Sequence, residues 1–274
     1  MASQVNVDFR QEDAEQILAA SPGGILIGGA ALSFWRSDSA GPLPPALSAG
    51  VTLDIDFFGG RRHAEELARA IKDLYHTRVE VYLPSLDDFT PNSAKLCLFG
   101  YGGRPENTYL EIDYLSSVYG FDESAIERMK SRAPMIDGES SRFQIMHPLD
   151  VLLSRVHNLA GLPSKQNSAG RAQAEMAVGV VYEFFLNDLG VGDAVVEKKG
   201  IPGVGGALKA AEELIRFARS KHAAVAYRDF GVDVLAAIPA DHFATDQFRA
   251  ERWPRALEWV ERKRAPRARI RLHT

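Results

Sequence analysis

Two aspartates one residue apart, Asp54 and Asp56, lie inside the apolar run TLDIDFF, downstream of the Gly28-Gly29 pair in ILIGGAALSFW. In a strand, residues i and i+2 point to the same face. The two carboxylates therefore aim together while Ile55 turns to the other side. Like charges held side by side are costly unless a cation neutralises them. ILI reads as a short strand and GGAALSFW as a turn opening a helix. A helix N-terminus offers unpaired N–H groups and the positive end of a dipole, which suits phosphate. Glycine allows phosphate oxygens to approach the backbone at Gly28 and Gly29. The combination predicts a divalent-metal and nucleotide-phosphate site.

A third carboxylate on a neighbouring strand completes such a site. In TYLEIDYL, residues 108–115, Tyr109, Glu111, Asp113 and Leu115 alternate against Leu110, Ile112 and Tyr114. Asp113 is the preferred third ligand, and Glu111, on the same face, is the reserve. Transfer of a nucleotidyl group needs charge stabilisation more than covalent chemistry. Two Mg²⁺ ions about 3.5–4 Å apart supply it in such sites, and Mg²⁺ prefers carboxylate, water and phosphate oxygens.

The elements that must position these residues follow from periodicity. Residues 8–20 read as a short amphipathic helix, Ile25–Ile27 as a strand, and Ala30–Trp35 as the start of a helix. SDSAGPLPPALSAG, residues 37–50, is a Pro/Gly/Ser loop. Val51–Phe58 is the second strand, and Arg61–Tyr75 carries Ala64, Leu67, Ala68, Ile71 and Leu74 at helical spacing. Val79–Leu83, Ala94–Phe99 and Thr108–Leu115 are further strands. From His147 the pattern turns helical. Leu149, Leu152, Leu153, Val156 and Leu159 line one face, and Asp150, Ser154 and His157 lie opposite. Pro148 stands where first-turn prolines are tolerated. Arg171–Leu189, closed by Gly190, is a second long helix. Gly200–Gly206 is a connector, and Leu208–Ala226 and Asp246–Arg262 are two more helices. The expected fold is α+β: a small mixed β-sheet core with flanking helices over residues 1–145, then an α-helical domain with a basic tail over 146–274.

With these residues placed, a resemblance emerges. The order GG-A-L-S, loop, T-L-D-I-D-F-F, then a strand with E-I-D resembles the nucleotidyltransferase superfamily of the DNA polymerase β type. IGGAALSFW, LDIDFF and the helical half resemble the AbiEii-type toxin nucleotidyltransferases of bacterial toxin–antitoxin systems, over roughly residues 20–190. The resemblance implies a nucleotidyltransferase core, with NTP as co-substrate and two Mg²⁺ ions. It implies RNA, including tRNA acceptor ends, as a target and an antitoxin protein as a partner. Asp54, Asp56 and Asp113 take the catalytic and metal-holding positions. Gly28, Gly29 and Ser33 fall in the nucleotide-binding turn and helix. Arg155 in PLDVLLSRVHNLAG falls at the family's basic position. LPSKQNSAGR supplies Lys165 and Arg171 to the later block, without the Lys-Asp pair found there in the family. A catalytically silent nucleotide-binding module and a small-molecule nucleotidyltransferase of the antibiotic-modifying kind are the alternatives.

Composition narrows the rest. The 274 residues are 46% hydrophobic and 25% charged, ordinary for a globular protein with a sizeable core. The one cysteine, Cys97 in LCLF, reads as a buried small hydrophobe, and its isolation fits a reducing cytoplasm. The polar, acidic N-terminal stretch does not read as a signal peptide. No apolar run spans a bilayer, so no membrane partner is expected. The net charge of −4 divides into +6 over residues 249–274 and −10 over the remainder. Such a basic tail reads as a solvated helix end or as an arm for phosphate or RNA. The seven histidines show no metal-binding spacing, and neither a P-loop nor a Ser/His/Asp signature is present.

Overall fold

The computed structural model describes residues 4–20, 23–37, 54–85, 87–88, 90–137, 142–187, 189, 206–243 and 248–264. Several expected features lie outside these residues: the loop from 38 to 50, residues 51–53 of the second strand, Gly190, the connector 200–205, and the tail beyond 264. The chain divides into two compact units, Met1–Arg155 with Ile201–Gly203, and Val156–Gly200 with Val204–Thr274.

In chain order the first unit holds β1 (Val5–Asn6), α1 (Gln11–Ala19), β2 (Ile25–Ile27), α2 (Gly28–Ser37), β3 (Ile55–Phe58), α3 (Arg61–Tyr75), β4 (Arg78–Tyr82), β5 (Asn92–Phe99), β6 (Thr108–Leu115), α4 (Glu123–Arg132), β7 (Met135–Asp137), β8 (Arg142–Ile145) and the start of α5 (Pro148–Gly161). The strands form one mixed sheet in the order β4-β5-β6-β3-β2-β8-β7, with β1 pairing in parallel to the start of β6. β3 runs parallel to β6 and antiparallel to β2. This is the α+β architecture expected, although β1, β7 and β8 add three strands to the five read from periodicity.

Register is held from the buried face. Ile55 and Phe57 on β3, Leu110, Ile112 and Tyr114 on β6, and Leu96 and Leu98 on β5 are almost wholly excluded from solvent. Phe57 stacks on Tyr114 with ring centroids 5.3 Å apart. α3 lays Ala64, Leu67, Ala68 and Ile71 into this core and packs against β4 and β5. Each large apolar side chain so buried contributes about 1.5–3 kcal/mol. α2 is tied to β8 and the residue after it by the Trp35 Nε1–H, which donates to the Met146 carbonyl at 2.8 Å, and by an edge-to-face contact of Phe34 with Phe143.

The polar face expected for α5 is corrected by the structure. Asp150 and Ser154 are buried, because α5 is enclosed on that side as well. Asp150 meets a partner there: Arg132, at the end of α4, donates from Nε and Nη2 to the two Asp150 oxygens in a bidentate pair, both side chains at most 2% exposed. His147, also buried, caps α5: its Nδ1 accepts the Leu149 N–H at 3.2 Å. Burial, then the Arg132 charge, hold the His147 imidazole well below its ordinary pKa, so it stays neutral. A second low-exposure pair, Arg104 with Asp13, fastens α1 to the turn before β6.

The second unit contains α6 (Ser168–Asn187), α7 (Ala207–Ala218), α8 (Lys221–Phe230) and α9 (Trp253–Arg264), preceded by the end of α5. α6 is buried on several sides through Ala172, Met176, Ala177, Val181, Phe184 and Phe185. The single helix expected over 208–226 is two. Arg219 ends the first and Ser220 caps the second, its Oγ accepting the Ala223 N–H at 3.1 Å, as Ser does at an N-cap. Arg264 closes α9 onto Asp233 and lies over the Tyr227 ring. Among the described residues no helix is long and apolar enough to cross a membrane.

Removing one member of a buried ion pair strands the other charge, at a cost of about 3–5 kcal/mol. Arg132→Met should therefore lower the unfolding free energy by that order. The double variant Arg132→Met/Asp150→Leu should recover most of the loss in urea unfolding. Equal stability of the single variant and the parent chain would show that the pair is not needed.

Candidate functional site

The polar face of the sheet is organised by cross-strand register. Tyr82 on β4, Lys95 on β5, Asp113 on β6, Asp56 on β3 and Ile27 on β2 are successive partners, one per strand. The next row toward the start of β6 is Glu80, Cys97 and Glu111. Neighbouring strands lie about 4.8 Å apart, so Asp56 and Asp113 are side-by-side carboxylates on a parallel pair. Asp54 sits two residues before Asp56, exposed, and its charge reaches Asp113. The structure thus brings Asp56 and Asp113 to one face of β3 and β6, both half-buried, while β3 begins at Ile55 and leaves Asp54 just before the strand and not within it as the sequence pattern predicts, close enough for its charge to act on Asp113.

Asp113 is held from two sides. Asn92 Nδ2–H donates to its Oδ1 at 2.9 Å, and Lys95 Nζ lies 3.8 Å from the same oxygen. Lys95 makes its short contact elsewhere, donating to Glu111 Oε1 at 2.6 Å. Burial pushes the Asp113 carboxyl above its ordinary pKa. Lys95 opposes that rise, while the charges of Glu111 and Asp54 add to it. Lys95 itself is held above the usual lysine value: burial works against its charge, but the Glu111 hydrogen bond and the two acidic neighbours outweigh burial. Neither Asn92 nor Lys95 was singled out from sequence. The signal was present for Lys95, a lone charge in the apolar strand AKLCLF. For Asn92 there was none, since its strand begins earlier than periodicity suggests.

The Gly28-Gly29 pair begins α2 directly after β2, and both residues are buried. Gly28 has φ +73, and a Cβ built there would stand 2.5 Å from Asp56 Oδ2. Ile27, its predecessor, pairs with Asp56. The start of the helix and the Asp56 carboxylate are therefore in van der Waals contact, and glycine is needed for both the backbone angle and the space. Ser33 lies on α2 one turn after Gly29, half-buried.

Arg155 lies on α5 in the first unit. Its Nε is shielded from solvent. Burial depresses the guanidinium pKa and the Asp56 charge opposes that, so Arg155 is an electrostatic neighbour of Asp56. Arginine keeps its charge even so. Lys165 is exposed in the short turn Pro163–Lys165 of the second unit. Cys97 is buried in β5, its thiol pushed up to about 11 by burial and then by Glu111, and is inert as a nucleophile.

Among the described residues no group of three or more His, Cys, Asp and Glu side chains is arranged to hold a metal ion. The donor set nevertheless fits Mg²⁺. This ion takes one or two protein carboxylates and completes its octahedron with water and substrate phosphates, not with an all-protein cage. Asp56 and Asp113 are such a pair, and Asp54 is the adjacent third carboxylate.

No protein-family model matches the chain, and no curated protein matches it in sequence. Among solved structures it is similar to the Megavirus polyadenylate synthase, with a TM-score of 0.37 and 9% sequence identity, covering 94% of this chain and 51% of that one. The chain thus spans about half the length of that protein.

Two outcomes follow from the geometry. Gly28→Ala meets both the positive φ and the Asp56 oxygen, and should cost about 1–2 kcal/mol in urea unfolding. Combined with Asp56→Ala, the loss should fall short of the sum of the two by about 0.5 kcal/mol or more, because the clashing oxygen is gone. Strict additivity would place Gly28 away from Asp56. For Asp113 the folded pKa exceeds the unfolded one. The folded chain therefore holds a proton that the unfolded chain has released, and stability falls as pH rises through that window. The penalty grows as the pH rises out of the acid range. Asp113→Asn should stabilise the metal-free chain by about 1 kcal/mol at pH 7.5, with the gain shrinking toward pH 4. A variant no more stable than the parent at pH 7.5 contradicts this electrostatic account.

Proposed function

We propose that the chain is a nucleotidyltransferase that binds a nucleoside triphosphate with Mg²⁺ and transfers its nucleotidyl group to an acceptor hydroxyl. The observation that carries this reading is the register of Asp56 against Asp113, set in contact with the Gly28 start of α2. Backbone N–H groups at Gly28 and Gly29 and the dipole of the ten-residue α2 favour the triphosphate there. The resemblance assigns Ser33 and Arg155 to the nucleotide as a hydroxyl and a fixed positive charge, and Arg155 is an electrostatic neighbour of Asp56. Lys165 is the further basic candidate that the resemblance to AbiEii-type proteins assigns to the nucleotide.

In the transfer, the acceptor oxygen forms a bond to the α-phosphorus as the bond to pyrophosphate breaks. The acceptor proton passes to a carboxylate of the site, and Asp113, oriented by Asn92, is the residue assigned to receive it. Bound Mg²⁺, held by Asp56 and Asp113 with Asp54 as the adjacent third carboxylate that the resemblance assigns, would supply charge stabilisation to the phosphates and the leaving pyrophosphate. RNA, tRNA acceptor ends among it, is the acceptor class that the resemblance favours, within a toxin paired with an antitoxin in the cytoplasm. The second reading is a silent nucleotide-binding module. Lys95, a cation already seated beside the carboxylates, is the observation that favours it.

Incubation with radiolabelled NTPs and separate RNA, protein and small-molecule acceptors distinguishes the readings. The parent chain should transfer label in the presence of Mg²⁺, and Asp56→Ala should lower the rate by about 10²–10³-fold. Absence of Mg²⁺-dependent NTP binding in calorimetry would sink both readings. Binding without transfer to any acceptor would leave the module.

A further inference from the structure

We infer that Lys95 decides which carboxylates the site offers to a divalent cation. By holding Glu111 it withholds that side chain and leaves the Asp56–Asp113 pair, which takes a small cation only together with a nucleotide's phosphates. The inference deepens the transferase reading and rests on it for the nucleotide, but not for the metal.

Three acidic side chains of the two central strands share this face, Asp56, Glu111 and Asp113, with Asp54 just before them. Glu111 and Asp113 are separated by one residue on β6, the spacing that puts two carboxylates on one face. Unopposed, Glu111 would turn toward any cation at Asp113 and add a ligand. Lys95 prevents it. Its Cα is opposite Asp113, yet its ammonium reaches diagonally to Glu111, at 2.6 Å against 3.8 Å to Asp113. Diagonal cross-strand reach is ordinary for a long side chain. Asn92, with no charge, occupies Asp113 instead. The result is an acidic surface on which no three ligating side chains converge among the described residues, even though the register supplies enough of them.

Ligand number discriminates between cations. Ca²⁺ collects about 6–8 oxygens at flexible distances, whereas Mg²⁺ keeps its waters and makes do with one or two carboxylates plus phosphate. Capture of Glu111 by Lys95 therefore selects against Ca²⁺ and against any metal bound without nucleotide. The ammonium also repels a cation arriving in the absence of phosphate charge.

The test is calorimetric titration of the full chain with Ca²⁺ alone and with Mn²⁺ alone, at neutral pH and without nucleotide. Parent, Lys95→Met and Lys95→Met/Glu111→Gln are compared after thermal melts confirm folding, and Lys95→Ala stands in should the Met variant not fold. The Lys95 variant should bind Ca²⁺ about tenfold or more tighter than the parent, the scale on which neighbours of metal ligands act. The double variant should return toward the parent value. Unchanged Ca²⁺ affinity in Lys95→Met overturns the inference. So does a double variant that keeps the whole gain, since charge removal and not Glu111 would then be responsible. Because no nucleotide is present, failure here is separate from failure of the transferase reading, which is judged on NTP binding by the parent chain.

Discussion

The parallel pairing of β3 with β6 is the constraint on which the rest depends. It sets Asp56 beside Asp113 and, on the reverse face, Ile55 and Phe57 beside Ile112 and Tyr114. Because strand side chains alternate with a period of two, a slip of one residue would exchange the carboxylates with the core. The apolar face therefore holds the polar one in place. The carboxylates need no dedicated scaffold beyond the hydrophobic packing that makes the sheet.

That arrangement is electrostatically unfavourable by itself, and the chain offsets it locally. Lys95 and Asn92, both on β5, supply a positive charge and an N–H to β6, while Gly28 brings the start of α2 against Asp56. The remaining tension is visible in Asp113, whose carboxyl burial and like charges hold above its ordinary range. A surface that costs the fold something, yet gathers hard oxygen donors beside a helix N-terminus, is the expected signature of a site shaped for a ligand. Behind it, the buried Arg132–Asp150 pair joins α4 to the first turn of α5, one of whose later residues is Arg155. A bidentate Arg–carboxylate pair fixes orientation as well as distance, so the placement of α5 in the first unit is specified by charge as well as by packing.

Elements with strong periodicity were legible in the chain. α3 was read with its observed ends, and β6 likewise, because each carries an uninterrupted 3.6- or 2-residue pattern. β1, β7 and β8 were missed. They are two to four residues long, and β7 and β8 carry polar or charged ends, so they exist as strands only because partners pair with them. α4 was missed because ESAIERMKSR is dominated by polar residues, with one buried methionine and the buried Arg132 as its anchors. Asp150 shows the same limit from the other side. A helical wheel assigns an aspartate to water, and only the arrival of Arg132 from another element makes burial tolerable.

Sequence alone determined the alternation that turns Asp56 away from Ile55 and Phe57, the glycines that open α2, and the candidate third acid on β6. These are local consequences of side-chain type and backbone period. Only the tertiary structure decided that Asp113 is the direct partner of Asp56, that Lys95 engages Glu111 in preference, and that Gly28 touches the Asp56 carboxylate. Each of those facts is a register between strands, or a contact between elements far apart in the chain. Register is chosen by the burial of the whole apolar face at once, so no stretch of sequence read by itself contains it.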